Sequence, residues 1–130
     1  MTEPTREQDL VARQIVDSAF AVHTTLGPGL LESVYEQCLA FELASRNIAV
    51  ERQVPVPVTY RGVLIDAAFR MDIVVAGMVV VEVKAVEKMV PIHEAQLVTY
   101  LKLSGYPIGL LINFNVPLIK DGIRRMVRSL

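Results

Sequence analysis

The 130-residue chain is 52% hydrophobic with a positive mean hydropathy, enough apolar content for one packed core and too much for a disordered segment. Thirteen basic and fourteen acidic residues leave a net charge of −1, which excludes a global pull towards nucleic acid and leaves any such binding to a local patch. The longest uncharged apolar run, Ile73 to Val81, is less than half the ~20 residues a membrane-spanning helix needs, and the polar N-terminus holds no signal-peptide core.

Thr5 followed by Gln8 resembles a capping box, and Leu10, Val11, Ile15, Ala19, Val22 and Leu26 then keep a helical period up to Gly27. His23 sits in this helix among small and apolar residues and reads as structural or exposed rather than as a ligand. Leu26-Gly27-Pro28-Gly29 separates it from a second helix, about Leu31 to Arg46, with Leu31, Val34, Tyr35, Cys38, Leu39 and Leu43 inward. The same helix carries Cys38, a single cysteine that rules out an internal disulfide and suits a reducing cytoplasm. Glu32 falls in its first turn, where the macrodipole alone favours an acid; a chemical role arises if that helix end faces other acids.

Ala49 to Pro57, Val58 to Tyr60 and Val63 to Phe69 read as extended, with Arg61-Gly62 a turn. Pro55 and Pro57 confine the first of these to a sheet edge or an irregular crossing. Next comes Arg70 to Ala85, two β-branched runs around Ala76-Gly77 that read as a hairpin whose second arm is apolar on both faces, as in a central strand. Asp72, Glu82 and Lys84 interrupt it, and an unpartnered charge is expensive to bury. A bland alternative is a Glu82–Lys84 ion pair at an exposed strand end, but it leaves Asp72 unexplained.

Register decides between the readings. A two-residue turn at Ala76-Gly77 pairs Val75 with Met78 and sends Asp72 to the face opposite Glu82 and Lys84. An odd loop, Ala76-Gly77-Met78 closed by Val75 and Val79, or a β-bulge, sets Asp72 opposite Glu82. A site shared with Glu32 requires one of these devices, with both carboxylates and Lys84 facing the first turn of the Glu32 helix.

After a loop from Val86, Pro91 can begin a third helix, Ile92 to Ser104, capped by Gly105. His93, Gln96 and Tyr100 are spaced to share one of its faces. Ile108 to Phe114 is a buried-type strand, placed to lie parallel beside the Glu82 strand. The tail, Ile123 to Leu130, reads as strand or short helix, and its Arg124, Arg125 and Arg128 form a basic cluster expected to touch phosphates. The fold class is α/β with a mixed sheet, in one domain spanning residues 1–130.

The succession Glu32, Asp72, Glu82-Val83-Lys84 and Gln96-x-x-x-Tyr100 resembles the PD-(D/E)XK nuclease superfamily. Within it, Gly29-Leu-Leu-Glu32-Ser-Val-Tyr35 looks like the signature of the small bacterial GxxExxY proteins. His93-Glu-Ala-Gln-Leu-Val-Thr-Tyr and Gly109-Leu-Leu-Ile-Asn-Phe continue the match. Met71 stands where the superfamily pattern has proline, a position that varies. The resemblance implies a restriction-endonuclease-like αβββαβ core with an additional N-terminal helix, and a Mg2+-dependent site, with Mn2+ as a substitute, for hydrolysing DNA phosphodiesters. RNA is the open alternative substrate. Glu32, Asp72, Glu82 and the backbone carbonyl of Val83 would hold the metal, Lys84 would assist water attack, and Gln96 and Tyr100 would shape the site. So small a chain leaves no room for a separate recognition domain. Specificity would then come from a homodimer or a protein partner, and a non-catalytic module that binds nucleic acid or protein is the competing function.

Overall fold

The computed structural model describes residues 3–66 and 69–128. The parts of the Val63–Phe69 and tail readings that fall on residues 67–68 and 129–130 lie outside the described residues.

Helix α1 (Arg6–Leu26) starts with the expected capping box, in which the Gln8 N–H donates to Thr5 Oγ1 and the Thr5 N–H to Gln8 Oε1. It ends at Gly27, whose φ of +67° suits a residue without Cβ. Helix α2 (Glu32–Ser45) follows, then β1 (Val50–Pro55), a short hairpin of β2 (Val58–Tyr60) and β3 (Val63–Ile65), β4 (Arg70–Val75), β5 (Val79–Lys84), α3 (Pro91–Ser104), β6 (Ile108–Asn113), a 3-10 turn (Ile119–Gly122) and β7 (Ile123–Val127).

Five strands form one sheet in the order β1-β4-β5-β6-β7, and β2 pairs with β3 apart from it. The β5–β6 pair is parallel, as expected across the α3 crossover, and the other neighbours are antiparallel. β1 lies at the sheet edge, where Pro55 at its end costs no ladder bond. The tail is a strand: β7 pairs with β6, and its alternation sends Arg124 and Arg125 to opposite faces. Arg124 pairs with Glu94 at 2.6 Å and Arg125 with Asp9 at 2.5 Å, so two of the three arginines expected to cluster are held in separate exposed ion pairs, while Arg128 is half-buried.

The sheet carries a core on each face. Against α1 and α2 lie Ile15, Ala19, Tyr35, Leu39, Ile73, Val75, Val81, Val83, Ile112 and Phe114; against α3 lie Met71, Val74, Val80, Leu97, Tyr100 and Leu111. Tight packing under α3 leaves no room at Gly109, where a Cβ would come within 2.8 Å of the Leu97 side chain. Helices on both faces of a mostly antiparallel sheet, in the order α-α-β-(hairpin)-β-β-α-β-β, contain the αβββαβ succession behind an extra N-terminal helix.

Candidate active site

The hairpin has the odd-length loop. Ala76 and Gly77 both take positive φ, +53° and +63°, the pattern of a type I′ turn closed by the Met78 N–H on the Val75 carbonyl at 3.0 Å. Met78 is then the extra residue, and the ladder runs Val75↔Val79, Val74↔Val80, Ile73↔Val81. Left-handed backbone is unfavourable for alanine, and the Ala76 N–H is tied to the Ala49 carbonyl at 2.8 Å.

One step beyond Ile73 and Val81 stand Asp72 and Glu82, opposite each other. Here the strand ladder gives way to side chains: the Asp72 N–H donates to Glu82 Oε2 and the Val83 N–H to Asp72 Oδ2, each at 2.8 Å. Each carboxylate takes a backbone donor that a strand carbonyl would otherwise have accepted. This fixes both side chains where β4 and β5 part.

The edge strand is irregular at the same level. Ile73 and Val75 pack towards α1 and α2, yet Met71, two residues before Ile73, packs towards α3. Strict alternation would keep all three on one face, so β4 turns over at Asp72. On β1, Gln53 stands between the pairs Arg52↔Ile73 and Val54↔Met71 and takes a φ of +54°. Its side chain is anchored: Gln53 Nε2 donates to Glu36 Oε1 and Oε2 at 2.9 and 3.0 Å, and Arg52 donates to Glu36 Oε2 through Nε and Nη2 at 3.1 and 2.9 Å. Glu36 is 5% exposed, and this set of donors offsets its desolvation.

Burial pushes both hairpin carboxyls up. Asp72 is raised to about 6, by desolvation first and by Glu36 and Glu32 next, against the bond from the Val83 N–H and the charge of Lys84. Glu82 is raised to about 8, by desolvation and then by Asp72, with Glu32 adding to it and the Asp72 N–H and Lys84 opposing. A buried acid, Glu82, and a half-buried one, Asp72, therefore face each other, with Lys84 the cation that acts on both. Among the described residues Lys84 forms no ion pair, so the Glu82–Lys84 bridge is not what accounts for the charges.

The other expected site residues are distributed around this pair. Glu32, exposed in the first turn of α2, acts on both carboxyls, whereas Glu36, one turn on, acts on Asp72. The start of α2 is held by Tyr35, whose hydroxyl donates to the Gly27 carbonyl at 2.6 Å and accepts the Leu30 N–H at 3.1 Å. Its ring stacks on Phe114 at 4.7 Å, and the Phe114 N–H donates to the Lys84 carbonyl at 2.9 Å. Glu82 and Lys84 share the strand parity of Val80, which packs under α3, so they belong to the α3 face rather than to the α2 face. On that face Tyr100 is buried, its hydroxyl pushed up by desolvation and then by Glu82 and Asp72. Gln96 is half-buried one turn before it. His93 accepts the Val90 N–H at Nδ1 (3.3 Å), spending one ring nitrogen on the start of α3. His23 is structural, its Nε2 2.8 Å from the Val116 carbonyl. The Val83 side chain lies in the α1/α2 core.

Sequence reasoning passed over Glu36, Gln53 and Asn113. Asn113 is buried; its Oδ1 accepts the Val86 and Asn115 N–H groups at 3.1 Å, and its Nδ2 donates to the Val86 carbonyl at 2.9 Å. It pins the chain two residues beyond Lys84. The Ile-Asn-Phe run held the signal, since an asparagine in a fully buried strand must find partners.

Among the described residues no three His, Cys, Asp or Glu side chains stand close enough to hold a metal ion as they are placed. The donor chemistry nevertheless fits one: Asp72, half-buried, and Glu82, buried, are hard-oxygen ligands, fixed and mutually repelling, the arrangement that a divalent cation relieves.

A model of the PD-(D/E)XK nuclease superfamily matches residues 9–126, and the chain belongs to that superfamily. Its members are generally nucleases that work with divalent metal ions on nucleic acid. No curated protein matches the chain, and no solved structure does. No described helix is long and apolar enough to cross a membrane.

Proposed function

We propose that the protein is a metal-dependent DNA nuclease whose reaction is centred on Asp72 and Glu82. The observation that carries this reading is the pair itself: two carboxylates brought opposite each other by an odd-length loop, Glu82 buried and Asp72 half-buried, and fixed by the Asp72 and Val83 N–H groups. Asp72 and Glu82, with Glu32 and the Val83 carbonyl, are the groups that would hold magnesium or manganese. Bound there, the metal would polarise the phosphodiester and lower the pKa of a water. Lys84 donates from Nζ to a phosphate oxygen or to the attacking water, countering charge that builds during attack. Gln96 and Tyr100 line the α3 side, where the amide and hydroxyl orient the substrate. Glu36, through Gln53 and Arg52, keeps the edge strand in the conformation that leaves Asp72 at the rim.

The test is cleavage of labelled single- and double-stranded DNA by purified protein with magnesium, manganese or EDTA, for wild type and for Glu82→Ala. Cleavage that needs the metal and is lost in a folded Glu82→Ala protein is the expected result. Equal cleavage by both preparations refutes the catalytic assignment. DNA binding without cleavage under any metal leaves the second reading, a binding module, which Glu32's exposure and the lack of a three-ligand cluster among the described residues favour.

A further inference from the structure

A hollow of about 270 Å³ opens on the α3 face between Phe69 and the outer side of α3, and Tyr100 belongs both to its wall and to the surroundings of the acid pair. Phe69 is 52% exposed although it directly precedes β4, and its ring meets Tyr100 at 6.3 Å with a 51° tilt. That tilt directs the two rings differently and leaves much of Phe69 to solvent. Ile92, 67% exposed, adds apolar wall; Gln96 and Thr99 add two neutral polar side chains that can both donate and accept.

We infer that this hollow is a nucleobase subsite, in which an unpaired base of the substrate strand stacks on Phe69 while its edge meets Gln96 and Thr99. The inference rests on the nuclease reading and deepens it by naming the substrate: a single strand or a frayed end. The occupant must be flat, apolar on its faces and polar at its edge, which describes a heteroaromatic ring. Tyr100, in the wall of the hollow and under the influence of Glu82 and Asp72, places the ring close enough for the same strand to reach the acid pair. The cation next in the chain to Phe69 is Arg70, exposed at the start of β4, where its Nη1 donates to the Gln53 carbonyl at 3.2 Å. Bases inside a duplex are already stacked and have no free face, so double-stranded DNA cannot use the hollow without opening.

Binding in EDTA separates this inference from the chemistry, since nothing is cleaved. Fluorescein-labelled oligothymidylate and a blunt duplex of equal length are titrated with wild type, Phe69→Leu and Phe69→Tyr. Wild type should favour the single strand; Phe69→Leu should weaken that binding by at least about fivefold, the low end for loss of one aromatic–base stack, and leave the duplex unchanged. Phe69→Tyr should bind like wild type. A second measurement needs no variant: 2-aminopurine placed at successive positions of the oligonucleotide should be quenched at one position on saturation. Equal single-strand affinity in wild type and Phe69→Leu, or no quenching at any position, overturns the subsite. If wild type cleaves DNA with metal while Phe69→Leu binds the single strand normally, the subsite falls and the nuclease reading stands. If Phe69-dependent binding appears but no metal supports cleavage, the subsite stands and the catalytic reading falls.

Discussion

Glu82→Gln should make the metal-free protein more stable at mildly alkaline pH, although it removes a residue at the centre of the site. The glutamine keeps an oxygen to accept the Asp72 N–H, which now donates to Glu82 Oε2 at 2.8 Å, and removes the charge that Asp72 opposes. Both carboxyls are raised in the folded state, so the folded chain holds their protons more tightly than the unfolded chain does. The stability linked to those protons is complete below about pH 4 and is lost as pH rises through about 6 for Asp72 and about 8 for Glu82. For Glu82 alone, a pKa of about 8 folded against 4.5 unfolded corresponds to roughly 4 kcal/mol lost by pH 8. Strand relaxation and water entry reduce that, so roughly 2–4 kcal/mol is a reasonable range. At about 3 °C per kcal/mol for a domain of this size, Tm should rise by roughly 6–12 °C at pH 8 and hardly at all near pH 5. The assay is thermal unfolding by circular dichroism in EDTA at several pH values. Wild type should lose stability between about pH 5 and about pH 8, and the variant much less. Parallel pH profiles for the two proteins, or a flat wild-type profile, would refute the picture of two desolvated acids opposing each other.

Magnesium or manganese at millimolar concentration should raise the wild-type Tm more at about pH 8 than at about pH 5.5, because the metal competes with the carboxyl protons and binds the folded state. The same titration on Glu82→Gln should show a much smaller shift. Tyr35→Phe removes the donor to the Gly27 carbonyl and the acceptor for the Leu30 N–H, and denaturant unfolding should show a loss of about 1–3 kcal/mol. The Glu32 turn should loosen with it, lowering cleavage even where the protein remains folded. Asn113→Ala leaves the Val86 N–H and carbonyl without their side-chain partner, which should cost about 2–3 kcal/mol and speed amide exchange at Val86 ahead of the sheet.

Much of this architecture was legible because it rests on local rules. The Thr5–Gln8 box, the Gly27 and Gly105 stops, the Val-rich β5 and the Ile/Leu-rich β6 follow from capping chemistry, left-handed glycine and two-sided burial, and each element stands where those rules put it. The hairpin register was legible only as a condition, since Ala76-Gly77 suits an even or an odd loop equally. The β2–β3 hairpin was legible from its Arg61-Gly62 turn, but its separation from the main sheet was not, because extended residues do not reveal which sheet they join. Arg124 and Arg125 are adjacent in sequence, but a strand turns neighbours to opposite faces, so each joined its own ion pair.

Glu36 and Gln53 were beyond pattern reading for a physical reason. Glu36 looks like one more polar residue on a half-buried helix until Arg52 and Gln53 are folded against it, and those lie on another element. Nothing about glutamine in a run such as Val-Glu-Arg-Gln-Val announces a positive φ. That irregularity nonetheless belongs with the other two at the same level of the sheet. The odd loop sets Asp72 opposite Glu82, the carboxylates end the β4–β5 ladder, and Gln53 turns the edge strand where β4 changes face. Had all three strands stayed regular, Asp72 would have kept the side-chain alternation of β4 and Met71 would have stayed on the face of Ile73. A left-handed non-glycine residue costs of order 1–3 kcal/mol and persists only where its surroundings hold it. The buried Glu36 carboxylate, accepting from Arg52 and Gln53, is what holds Gln53, so a charge that hydrogen-bonds to neither Asp72 nor Glu82 shapes the rim on which both stand.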